Sequence, residues 1–84
     1  MQYISLIEEA ALAVRAGESR LAKARLNLEN FLAEYGDMAA TAELRESFER
    51  EKDVLVTEVD AAERFYRKCC EDLEELKQRQ EAPR

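Results

Sequence analysis

The sequence predicts an all-α fold: an antiparallel two-helix hairpin of coiled-coil type that pairs with a second copy into a four-helix bundle. Three observations predict it. Apolar residues recur at alternating spacings of three and four along most of the chain. Helix breakers are scarce, with two glycines and a single proline, Pro83, beside the last residue. Charged residues make up 38% of the 84, with Ala, Glu, Leu and Arg prominent, which is the composition of long helices. One small domain over residues 1–84 is expected: helix 2–35, turn 36–40, helix 41–80 and a frayed tail 81–84.

The first helix rests on one unbroken line. Tyr3, Ile7, Ala10, Val14, Gly17, Leu21, Ala24, Leu28, Phe31 and Tyr35 follow the 4-3 alternation, and no charged residue enters it. Ile4, Ala11 and Leu32 widen the stripe on one flank, and Leu6 and Ala13 on the other. A break at Gly17 would shift the phase, yet the phase runs on to Tyr35. Large residues at Ile7, Val14, Leu21 and Leu28 alternate with small ones at Ala10, Gly17 and Ala24. Such a track lets a neighbouring backbone approach closely. That is a reason to accept the roughly 1 kcal/mol that glycine costs inside a helix.

"EYGDMAATAE", residues 34 to 43, reads as the turn. Gly36 fits a left-handed helix terminus. Asp37 or Thr41 is expected to cap the second helix, with Glu43 in its first turn. The second seam reads Leu44, Phe48, Glu51, Leu55, Val59, Ala62, Tyr66, Cys69, Leu73 and Leu76. A break in the strict alternation from Leu55 to Val59 to Ala62 predicts a stutter.

A short turn between two long helices makes them antiparallel. Folding evenly about residues 36 to 40 would set Gly17 against Val59 to Ala62, and Ala10 against Tyr66 and Cys69. Outside the seam, Leu12 and Leu26 stand two heptads apart among alanines that include Ala16. With Val54 and Val56 they form a candidate strip for a homodimer, and a different protein on the same strip is the alternative.

The residue inventory narrows the chemistry. No histidine is present, which removes the usual general base, the usual transition-metal ligand and the His-dependent nucleophile arrangements. No glycine-rich phosphate cradle or calcium loop occurs. The expectation is a non-enzyme with no cofactor, no metal and no small-molecule substrate. Cys69 and Cys70 are adjacent, so they point about 100° apart on a helix and do not bridge each other. Cys69 reads as a seam residue, and a thiol-sensing role for the pair is a lesser alternative.

The start, "MQYISLIEEAALAV", lacks a basic lead and carries Glu8 and Glu9 in its apolar run, so neither export nor a membrane partner is expected. A cytoplasmic protein is the expectation. The net charge of −6 and the want of a dominant basic stripe argue against nucleic acid. Glu43, Glu46, Glu49, Asp53, Asp60 and Glu63 form a candidate acidic face for a basic partner. The functional expectation is a protein-binding module, acting as adaptor, chaperone or inhibitor of a larger machine by helix-face docking. A structural protein forming homo-oligomeric bundles is the alternative.

Overall fold

A computed structural model describes residues 2–37 and 41–81 of the chain. Among the described residues there are two helices, α1 over Gln2–Tyr35 and α2 over Ala42–Glu81. They lie against each other as an antiparallel hairpin about 66 Å long. The side chains of Tyr3 and Ile4, the turn residues 38 to 40 and the tail residues 82 to 84 lie outside what is described.

Each boundary has a local cause. The Leu44 N–H donates to Thr41 Oγ1 at 3.2 Å, so Thr41, not Asp37, caps α2. The first turn of α2 carries Glu43 and its last turn Arg79, each at the end its charge suits. Gly36 departs from its expected conformation. Its N–H bonds the Leu32 carbonyl at 2.9 Å, as in a continuing helix, and neither glycine has a positive φ. A Cβ on Gly36 would meet that same carbonyl oxygen at 2.5 Å. Glycine is needed there for a close approach, and a left-handed backbone has no part in it. In the middle of α2, "VLVTEV" is rich in β-branched residues of modest helix propensity. Thr57 Oγ1 bonds back to the Asp53 carbonyl at 2.8 Å, and Leu55 and Val59 are held by packing against α1.

The core is thin and central. Leu21, Ala24 and Ala62 form it, with Val59 and Tyr66 packed around them. Ala62 is wholly enclosed at 0% exposure. Gly17 is buried, and a Cβ on it would stand 3.3 Å from the Tyr66 Cα and 3.4 Å from the Phe65 ring. The small-residue track thus brings two backbones together, one to two turns further along α2 than even folding puts it. The expected opposition of Gly17 to Val59 and Ala62 is corrected accordingly. Phe31, near the end of α1, stacks on Phe48 at 5.1 Å. So α2 begins roughly one turn beyond the last residue of α1, and the whole register slides with it.

The second seam also differs from its expected reading. Glu51 is exposed and Lys52 is half-buried. The inward line is therefore Phe48, Lys52, Leu55, Val59, Ala62, Tyr66, Cys69, Leu73 and Leu76, an unbroken 4-3 alternation. The stutter expected over Leu55, Val59 and Ala62 does not exist, and Leu44 is left exposed at the start of α2. A lysine sits in the seam because its four-carbon stem covers apolar neighbours while the ammonium reaches water. Lys52→Leu is expected to raise stability by about 1 kcal/mol, read as a higher urea midpoint at unchanged slope. A lowered midpoint would place the Lys52 stem outside the seam.

Candidate interaction surfaces

The seam residues of α1 come together along one face. Gly17, Leu21 and Ala24 are buried, and Ile7, Ala10, Val14, Leu28 and Phe31 are half-buried. On α2, Ala62 and Cys69 are buried, and Leu55, Val59, Tyr66 and Leu73 are half-buried. Arg20 lies over the Phe65 ring at 5.6 Å and closes one edge of the seam beside Gly17. On the other edge, Cys70 hydrogen-bonds Tyr66 and thereby lifts the Tyr66 phenol above its ordinary range. The negative potential of Cys70 and then of Glu18 adds to the shift, and burial adds last.

The apolar residues outside the seam do not gather into one strip. Leu12 is 63% exposed and Leu26 54%, and both project from α1 directly away from α2. Two positions along a helix turn a side chain through about 200°, so Val54 and Val56 leave α2 on opposite flanks. Ala16 is exposed on α1, on a flank of its own ridge. The outer ridge of α1 therefore stands alone as an apolar feature.

The acidic residues are better ordered. Glu46, Glu49, Asp53, Asp60 and Glu63 fall at spacings of three, four and seven on one flank of α2, with Val56 among them and Glu43 to one side. Part of that charge is balanced locally. Glu46 pairs with Arg50 at 3.5 Å and Glu63 with Arg67 at 3.4 Å. Lys68–Asp72 and Glu75–Arg79 are likewise exposed pairs four residues apart. Each contributes a few tenths of a kcal/mol to the helix. Among the described residues none of these pairs crosses to α1, so packing, not charge, sets how the helices meet.

A third surface was not foreseen from the sequence. At the turn end, the overhang of α2 opens a cleft of about 530 Å³ lined by Phe31, Tyr35, Leu44, Ser47, Phe48 and Glu51. Phe31 lies between two rings, with Tyr35 tilted against it at 5.3 Å and Phe48 stacked at 5.1 Å. Tyr35 and Leu44 remain 40% and 46% exposed on its walls. The signal present in the sequence is that three of the six aromatic residues flank the turn. Comparison with known protein families, with curated proteins and with solved structures found no match. Among the described residues no helix is long and apolar enough to cross a membrane.

Proposed function

We propose that the chain is a non-catalytic protein-interaction module that docks helix faces on a larger protein. One observation supports this reading above the rest. Among the described residues, nine large apolar side chains are more than a third exposed, against four buried apolar residues, Leu21, Ala24, Ala62 and Cys69. A hairpin of two helices has no third layer to cover them, and where they adjoin, as Tyr35 and Leu44 do on the walls of the turn-end cleft, they offer a contact face. With histidine absent, a role in binding also accords better with the residue inventory than one in proton-transfer catalysis. Adaptor, chaperone and inhibitor all act through such docking.

The second reading is a structural protein that assembles with itself, including the dimeric four-helix bundle. The exposed ridge of Leu12 and Leu26 favours it. Thermal unfolding over a wide concentration range separates the two. Docking on another protein expects a midpoint independent of concentration. Self-assembly expects a midpoint that climbs with concentration, because mass action favours the folded oligomer. If Leu12→Lys with Leu26→Lys then removes the climb, the ridge belongs to self-assembly and the docking reading fails.

A further inference from the structure

We propose that the aromatic cleft at the turn end is the docking site, and that its occupant is a cationic amphipathic helix anchored by a bulky apolar side chain. The inference rests on the interaction-module reading above and specifies its partner. Two independent features meet at this end. The first is the cleft, where Tyr35 and Leu44 stand exposed beside the Phe31–Phe48 stack. Such a recess receives one or two large side chains of a helix laid across it. The second is charge. From Glu29 to Asp53 the chain carries eight acids and three bases, which is five of its six net negative charges. Glu51 lines the cleft itself and Glu34 adjoins Tyr35 in sequence. Among the described residues Glu46 is the one acid of this stretch held in an ion pair.

That charge decides between occupants. A second copy would set two strongly negative ends together, and like charges at an interface oppose docking. Nucleic acid and anionic lipid surfaces are repelled for the same reason. A helix with lysine or arginine around an apolar stripe satisfies both features: its anchor leaves water and its cations face the acidic rim.

Calorimetric titration with three synthetic peptides tests this. One is an amphipathic helix of Leu, Phe and Lys. The second has glutamate in place of lysine, and the third has serine and alanine in place of the apolar stripe. The first is expected to bind the wild-type chain and the other two to bind far more weakly. Leu44→Ser with Tyr35→Ser should weaken binding about tenfold or more, as loss of a central anchor pocket does. Glu34→Gln with Glu51→Gln should weaken it less and flatten its dependence on salt. Leu12→Ser, on the far ridge, should leave it unchanged, and circular dichroism checks that every variant stays helical.

The proposal is overturned if the serine–alanine peptide binds as tightly, or if the glutamate peptide does. Binding that survives Leu44→Ser with Tyr35→Ser but falls with Leu12→Ser moves the site to the ridge and leaves the module reading standing. A wild-type dimer broken by Leu44→Ser assigns the cleft to a second copy. No binding, with Leu44→Ser lowering the unfolding midpoint, shows the cleft filled from within the hairpin. No binding joined to concentration-dependent unfolding removes this proposal and the module reading together.

Discussion

Replacing Gly17 with leucine is expected to cost the hairpin about 3 kcal/mol or more, at the upper end of what overpacking costs. The reason is the neighbour that an added side chain meets. The first atom beyond a Cβ on Gly17 is the Tyr66 Cα at 3.3 Å, and a backbone atom cannot rotate aside as a side-chain tip can. Alanine needs the helices to part by only a few tenths of an ångström. α2 is packed on one side only, so it can yield that much. The shift is offset by the roughly 1 kcal/mol that alanine gains over glycine in a helix. Gly17→Ala should therefore unfold within about 1 kcal/mol of the wild type. Leucine needs several ångströms, and no such shift leaves Leu21, Ala24 and Ala62 in contact. Urea unfolding followed by circular dichroism reads both variants. Equal midpoints for Gly17→Leu and wild type would show that α2 does not approach α1 at Gly17.

The contrast between these two substitutions marks where the sequence is legible. The 4-3 rhythm of α1 names the buried face outright, because every seam position there is apolar or glycine. On α2 the same rhythm crosses the charged run from Glu49 to Asp53, where spacing from Phe48 admits Glu51 and Lys52 alike and only Lys52 faces inward. The expected stutter follows from taking Glu51. Burial depends on which atoms leave water, and a lysine stem can leave it while its charge does not. Hydrophobicity assigned to whole residues cannot register the difference.

Register is illegible for another reason. The rhythm fixes which side of each helix faces inward but not how far one slides along the other, since a shift of one heptad keeps every seam residue in the seam. What the structure adds is where each helix ends: Gly36 extends the helical bonding of α1 and Thr41 starts α2. Phe31, Tyr35, Leu44 and Phe48 are all apparent in the sequence, but their meeting around one recess depends on how the two helices are placed. The outer strip failed in the same way. Leu12 and Leu26 share a ridge by their spacing, whereas Val54 and Val56 needed the position of α1 around α2 before either could be assigned a side.

Ala62→Asp is expected to be as damaging as Gly17→Leu by a different mechanism. Ala62 has no exposure at all, between Leu21 and Ala24 on the facing helix. A carboxylate put there loses its water and meets no cation on the apolar side, which costs about 3 kcal/mol or more for an unpaired buried charge. Ala61 supplies the control. It is half-buried one residue away, so Ala61→Asp loses the same helix propensity but keeps access to solvent. That variant should lose about 1 kcal/mol or less. The difference between the two isolates burial from propensity. Its pH dependence has a definite sign. Burial raises the folded-state pKa of the introduced carboxyl above the unfolded value of about 3.9. The deficit is therefore smallest below about pH 4, where the carboxyl is neutral in both states. It grows as pH rises toward the folded-state pKa, where the unfolded chain has already ionised, and levels off above it. Urea midpoints for both variants at acid and neutral pH measure this directly. If Ala62→Asp and Ala61→Asp respond alike at every pH, the centre of the hairpin is wet. Leu21, Ala24 and Ala62 would then not be what holds the two helices together.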